Sequence, residues 1–167
     1  MKWSPRRTAR YYYLRFIRLQ GTPHSLALGS AIGAAIAITP TLPLHTVCIV
    51  GTTLLFRANT IAALMVGTLV SNPLTFAAQY YYSWKIGNML LPGRISWERL
   101  QQMLAMVKEA GFVEGIKIVS SLSMEGMLVL LVGGLILAIP LGIIVYFAAN
   151  HFFIRIEQKR HHKHVLN

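Results

Sequence analysis

The sequence of 167 residues contains no aspartate, only five glutamates and a single cysteine. The glutamates all lie outside residues 24–91, so the long apolar stretch there has no carboxylate for acid–base chemistry. Cys48 has no partner for a disulfide within the chain. The sequence contains no recognisable nucleophile–base pair, metal-ligand spacing or phosphate loop. We therefore expect no enzyme activity, no catalytic residue, no metal and no cofactor.

Charge is also scarce, because 13% of the residues are charged and 54% are hydrophobic. A typical soluble domain carries about 25% charged residues. Residues 126–150 have no charge at all. A helix of that length exceeds the roughly 30 Å hydrocarbon core of a bilayer. The composition predicts a membrane protein with a transmembrane helix over residues 126–149.

The net charge of +11 is concentrated at the two ends of the chain. Ten of the sixteen Lys and Arg residues lie there: Lys2, Arg6, Arg7, Arg10, Arg15, Arg18, Arg155, Lys159, Arg160 and Lys163. Basic flanks of apolar segments mark the cytoplasmic side of a membrane. We therefore predict cytoplasmic termini, a multi-pass topology with an even number of crossings, and no binding of nucleic acid.

The N-terminal segment, residues 1–23, is predicted to contain an amphipathic helix over residues 6–20. Its arginines fall on one half of the helical wheel, whereas Phe16 and Ile17 fall on the other half. This arrangement suits the interface of a bilayer that contains anionic lipid; a solvated arm is the alternative. Residues 150–167 are predicted to form a basic cytoplasmic tail.

Prolines interrupt the apolar segments of the single membrane domain that we expect over residues 24–149. Pro40 and Pro43 break a hairpin over residues 24–56, because proline lacks a backbone donor and clashes with the preceding helical turn. Each half of this hairpin is shorter than a comfortable span. We expect a re-entrant hairpin, and a thinned hairpin that spans the bilayer fully is the alternative.

A second interrupted segment, residues 59–91, is predicted to form a broken helix pair. Pro73 follows Asn72, a residue suited to cap the helix that starts after the break. Arg57 and Asn59 are predicted to form an interfacial turn between the two segments.

These features together predict an all-α polytopic membrane protein. It would consist of broken, re-entrant helical hairpins, a C-terminal transmembrane helix and interfacial amphipathic helices. Residues 94–125 carry balanced charge and amphipathic spacing, so we expect them to lie outside the membrane.

Polar side chains gather around the predicted breaks: Thr39, Thr41, His45, Ser71, Asn72 and Thr75. A helix that starts inside a membrane exposes N–H groups and about half a positive charge, which favours an anion. Broken helices are also where transporters bind their substrates. We predict a substrate site at these six residues. The alternative is that the side chains only satisfy backbone groups freed by the prolines.

The ordered motifs around the breaks resemble a family of small bacterial inner-membrane proteins classed as a domain of unknown function. The matching residues are Pro23, Ala27, Gly29, Ala31, Gly33, Pro40, Pro43, Arg57, Asn59, Asn72, Pro73 and Thr75. The resemblance implies the bacterial cytoplasmic membrane. Relatives are sometimes fused to glycosyltransferase-like domains, which implies a link to envelope glycan or lipid metabolism.

The function that we predict is transport or translocation of a small or lipid-linked anion through the helix breaks. A membrane scaffold that recruits partners for envelope or cell-surface biogenesis is the alternative, and an enzyme acting on lipid is a third. A chain of this size offers few helices to enclose a pathway, so we expect a homo-oligomer. The lipid bilayer, with anionic lipid at the basic ends, is the other expected partner.

Overall fold

The computed structural model describes residues 10–11, 14–39, 45–93, 96–109 and 124–165, and the regular structure among them is helical, with no strand. The helices are α1 (Pro23–Ile38), α2 (His45–Leu55), α3 (Thr60–Val70), α4 (Pro73–Leu90), α5 (Trp97–Glu109) and α6 (Met124–Val165). Residues 10–11 and 14–17 are also helical. The prediction of an all-α fold is confirmed for these parts of the chain.

Helix α1 packs against α3 through glycines that allow their backbones to touch. A Cβ atom on Gly29 would collide with the carbonyl oxygen of Asn59, and one on Gly33 would collide with that of Ala63. Small residues four apart are the usual means of such close contact between helices. Because the two contacts occur in the same order along both helices, α1 and α3 run in the same direction.

Helix α4 packs against α6 by the same device. A Cβ atom on Gly87 would collide with the carbonyl oxygen of Val129, and one on Gly133 with that of Ser83. The order of these contacts shows that α4 and α6 run in opposite directions. Both helix pairs are therefore held at a separation that only small residues permit.

The long helix α6 also joins these two pairs. Beyond its contact with α4, it meets α1 near Gly142, where an added Cβ would lie 3.5 Å from the Cβ of Ala35. Farther along, Tyr146 and His24 share a hydrogen bond of 2.8 Å between the phenol oxygen and Nδ1.

Helix α6 continues well past the predicted transmembrane segment. Its 42 residues run through Pro140 to Val165, a length of about 63 Å. The segment Glu125–Lys159 is long and apolar enough to cross a membrane, the one helix among the described residues that meets this test. Helices α1, α2 and α3 are apolar but contain only 16, 11 and 11 residues.

Two apolar clusters attach the amphipathic segments to the bundle. Leu100 of α5 is buried against Tyr80, Val129 and Leu130. At the other cluster, Leu19 of the N-terminal segment is buried with Leu26, Ala62 and Phe153, and Phe16 packs against them. The rings of Phe16 and Phe153 lie 4.9 Å apart.

The packing of α1 on α3 predicts that Gly33→Ala destabilises the fold, because the added methyl group meets backbone rather than a flexible side chain. Overpacking of this kind costs about 1–3 kcal/mol. Gly51→Ala is the matched control, since Gly51 is an exposed helical glycine with nothing within 4 Å of the added Cβ. Thermal unfolding in detergent should give a lower midpoint for Gly33→Ala only. Equal midpoints for the two variants would contradict the close contact.

Candidate functional site

The break between α3 and α4 is closed by reciprocal hydrogen bonds between two of the predicted site residues. The Thr75 amide donates to Oδ1 of Asn72, and the Asn72 amide donates to Oγ1 of Thr75, each at 3.2 Å. This is the pattern of a capping box, in which each side chain satisfies the other residue's backbone donor. Pro73 takes the first helical position, where the missing N–H costs nothing. Helix α4 thus begins directly after Asn72.

The last carbonyl of α3 is also satisfied by side chains from α4. The carbonyl oxygen of Val70 accepts from Thr75 Oγ1 at 2.5 Å and from Gln79 Nε2 at 2.8 Å. Asn72 Nδ2 donates to the carbonyl oxygen of Leu69 at 3.0 Å. We call these five residues the α3–α4 joint.

Gln79 was not among the predicted site residues, although a signal for it exists in the sequence. It lies four residues after Thr75, so both side chains occupy the same face of α4. Gln79 Nε2 also lies 3.4 Å from Thr75 Oγ1. The polar face of the break therefore extends one turn further along α4 than the sequence pattern predicts.

The ends of α1 and α3 place other predicted residues on the same side of the bundle. Thr39 ends α1, is 7% exposed, and its hydroxyl donates to the carbonyl of Ala35 at 3.0 Å. Since α1 and α3 run in the same direction, this end matches the end of α3 at Ser71. His45 begins α2 here, with Nε2 3.8 Å from where a Cβ on Gly67 would be. Thr41, Pro40 and Pro43 lie outside the described residues.

The α3–α4 joint is open towards the outside of the protein. Asn72, Thr75 and Gln79 are half-buried, whereas Leu69 beside them is 71% exposed. A small cavity of about 50 Å³ lies elsewhere, lined in part by Leu19 and Phe153. Within the described ranges, no group of three His, Cys, Asp or Glu side chains is placed to hold a metal ion.

The second polar junction is centred on Asn59, for which the sequence predicts an interfacial turn. Its Oδ1 accepts from the amide of Ala62 at 2.9 Å and so caps α3. Its Nδ2 donates to the carbonyl of Gln20 at 3.0 Å, and its own amide donates to the carbonyl of Ser25 at 3.0 Å. Asn59 thus joins the N-terminal segment, α1 and α3, a role that pairs residues 39 positions apart.

Arg57 precedes this junction in an unusual backbone conformation. Its φ angle is 51°, the left-handed region that non-glycine residues seldom adopt. The turn is held because the amide of Ala58 donates to the carbonyl of Thr53 at 2.8 Å. The guanidinium of Arg57 is exposed.

The fold and its two junctions define a class: a small protein whose described parts are helical, with a proline-broken helix pair and, among those parts, one helix apolar enough to cross a membrane. The chain matches a family described as "uncharacterized protein conserved in bacteria" over residues 6–163, and it belongs to that family, DUF2062. The predicted resemblance to a bacterial domain of unknown function is confirmed. No curated protein and no solved structure matches the chain.

The capping box predicts that Thr75→Val destabilises the fold by about 1–2 kcal/mol, because the hydroxyl both donates to Val70 and accepts from Asn72. Thr68→Val is the matched control. Thr68 is exposed, and its hydroxyl makes one bond, to the carbonyl of Leu64 one turn earlier. Chemical unfolding in detergent measures both variants. An equal loss of stability would show that the hydroxyl of Thr75 has no special role at the break.

Proposed function

We propose that this family member is a bacterial inner-membrane protein that translocates a lipid-linked anion at the α3–α4 joint. Its membrane part would consist of a re-entrant hairpin (α1 and α2), a kinked crossing (α3 and α4) and a second crossing (α6). Both termini would be cytoplasmic. The half-buried polar joint, open towards an apolar outer surface, is the observation that carries the proposal.

The lengths of the helices support this placement. Helix α3 has 11 residues between Asn59 and Ser71, where the break begins, which corresponds to roughly 16 Å. That is about half of a hydrocarbon core of roughly 30 Å. If the turn at Arg57 lies at the cytoplasmic surface, the joint lies near the middle of the bilayer.

The aromatic residues of α4 and α5 support the position of the opposite surface. Trp84 lies 11 residues beyond Pro73, again roughly 16 Å along a helix. Its ring lies 5.1 Å from that of Trp97, which lies 4.9 Å from that of Tyr81. Trp and Tyr are enriched where a membrane meets water. This cluster fits the periplasmic interface, with α5 lying along it.

The helix lengths also favour a re-entrant first hairpin over a hairpin that spans the bilayer. Beyond Gly29, which lies level with Asn59, α1 has nine further residues, and α2 has 11. These correspond to roughly 14 and 16 Å. The α1–α2 turn would therefore reach about the same depth as the α3–α4 joint. Both breaks would then lie inside the bilayer.

The exposed surface of α6 fits contact with acyl chains. The most apolar 18-residue stretch of α6 has a mean hydropathy of 2.9, and only 28% of that stretch is buried inside the protein. Its large exposed side chains include Leu135, Ile136, Ile139, Ile143, Ile144 and Phe147. The core helix of a soluble protein would be mostly buried, and monomeric soluble proteins seldom expose apolar patches of this extent.

An anion attached to a lipid suits the joint better than a free anion. A free ion needs an enclosed polar path, whereas a lipid headgroup can reach an outward-facing site while its chains remain among the acyl chains. Thr39, His45 and Ser71 would complete the polar surface around the joint. We include a homo-oligomer in the proposal, because a second copy could close the open side. A monomer in lipid nanodiscs would contradict that part.

The placement predicts a pattern of cysteine accessibility in a Cys48→Ala background. Ser71→Cys should resist a membrane-impermeant maleimide added from either side, because the joint lies at mid-depth. Gln101→Cys, on the exposed face of α5, should react from the periplasmic side, and Lys159→Cys from the cytoplasmic side. Labelling of intact cells and inverted vesicles measures all three. Full reaction of Ser71→Cys from either side would place the joint in water.

The proposed site predicts that Asn72→Asp abolishes translocation while the fold persists. Aspartate keeps the cap acceptor and favours the helix dipole, but its charge repels an anion. Asn72→Ser, a neutral cap, is the matched control and should retain most of the activity. Liposomes with a fluorescent phosphatidylglycerol analogue in the inner leaflet would report its appearance outside. Equal rates for the wild type, Asn72→Asp and empty liposomes would overturn the proposed translocation.

A scaffold that recruits a partner is the second candidate, and the continuation of α6 to Val165 favours it. Beyond residue 149, where the predicted transmembrane helix ends, this extension presents exposed Arg155 and Lys159 on a helix. Removal of residues 156–167, which include Lys159, should leave translocation unchanged if the joint acts. Loss of a cellular phenotype on this truncation, with Asn72→Asp neutral, would favour the scaffold.

A further inference from the structure

Three segments that are distant in sequence meet at one end of the bundle. The ring of Phe16 packs on Phe153, Asn59 Nδ2 bonds the carbonyl of Gln20, and the hydroxyl of Ser25 lies 3.5 Å from the carbonyl oxygen of Arg57. These contacts bring residues 14–20, 56–59 and 151–159 together. The cationic side chains of these segments are Arg15, Arg18, Arg57, Arg155 and Lys159, which we call the basic end.

All five cations of the basic end are exposed, and Glu157 is the one acidic residue in the three segments. The local field is therefore strongly positive. In the sequence, Arg15 and Arg18 lie near one end of the chain, and Arg155 and Lys159 lie near the other. Only the packing brings Arg57, from the middle of the chain, into the same group.

Exposed apolar side chains lie next to Arg57 in the chain. Leu54, Leu55 and Phe56 are 68%, 77% and 58% exposed directly before Arg57. The cavity of about 50 Å³ lies at the same end, between the N-terminal segment and α6, and Ile17, Ile156 and Glu157 are among the residues that line it. A surface that is cationic and apolar at once matches a phospholipid, whose phosphate is anionic and whose chains are apolar.

From this juxtaposition we infer that the basic end is a binding surface for the headgroups of anionic phospholipids. The phosphates would lie against the guanidinium groups of Arg57 and Arg155, and the acyl chains along Leu55 and Phe56. The inference rests on the membrane placement proposed above, but it does not require translocation at the α3–α4 joint. The basic end would bind lipid whether or not lipid is translocated across the membrane.

The test uses the full chain in detergent and follows its thermal midpoint as phosphatidylglycerol is added. Phosphatidylglycerol should raise the midpoint, whereas phosphatidylcholine and inorganic phosphate should not. Arg57→Asn removes the charge with a residue that tolerates a positive φ angle, so the turn is preserved. Arg57→Asn and Arg155→Gln should each weaken the apparent affinity about five-fold.

Arg99→Gln is the matched control, because Arg99 is an exposed arginine on α5, away from the basic end. It should leave the affinity unchanged. An equal loss for Arg99→Gln would show attraction by net charge alone and overturn the site. An equal shift with phosphatidylcholine, or with phosphate, would also overturn it. Lipid binding that survives in Asn72→Asp, after translocation is lost, would separate this surface from the proposed pathway.

Discussion

The fold depends on direct contact between helix backbones. Where Gly29 and Gly33 of α1 meet Asn59 and Ala63 of α3, no side-chain atom fits between the helices. Gly87 and Gly133 create the same condition between α4 and α6. Contact at this distance fixes register and direction, because a shift by one residue would place a larger side chain against backbone. In a bilayer, where burial of apolar surface drives little association, such contacts supply the packing.

The two polar junctions follow from this arrangement. With α1 and α3 held side by side, Asn59 can cap α3 and also bond the residues before and within α1. At the other end of α3, the capping box of Asn72 and Thr75 satisfies the backbone groups that Pro73 leaves free. Each unsatisfied group would cost several kcal/mol in hydrocarbon. The breaks are thus stable parts of the structure.

The hydrogen bonds already made within the α3–α4 joint restrict how it could bind a ligand. Thr75 and Gln79 already donate to the carbonyl of Val70, so a ligand must compete for these donors or use what remains. A translocation site of this kind would exchange internal bonds for bonds to an anion as the helices move. A purely structural role leaves the bonds in place. Asn72→Asp separates the two roles, because aspartate and asparagine both carry the oxygen that caps α4 and differ in charge.

The sequence predicted the local features well, since they depend on neighbours in the chain. The breaks at Pro73, the cap at Asn72 and the start of α3 after Asn59 all appear where short-range rules place them. The same rules did not place Gln79 in the predicted site. They also ended the predicted C-terminal transmembrane helix at residue 149, whereas α6 continues as a helix to Val165. Propensity alone does not separate a helical extension from a solvated tail.

The sequence by itself determined the helical character of the described segments, the apolar segments, the concentration of positive charge at both ends and the family to which the chain belongs. Only the tertiary structure decided that α1 and α3 run in the same direction, that Asn59 joins three segments, and that Arg57 shares one end of the bundle with residues 14–20 and 151–159. The physical reason is the distance along the chain over which each effect acts. Capping, breaking and hydropathy act within a few residues, whereas direction and grouping depend on which small residues meet across the bundle.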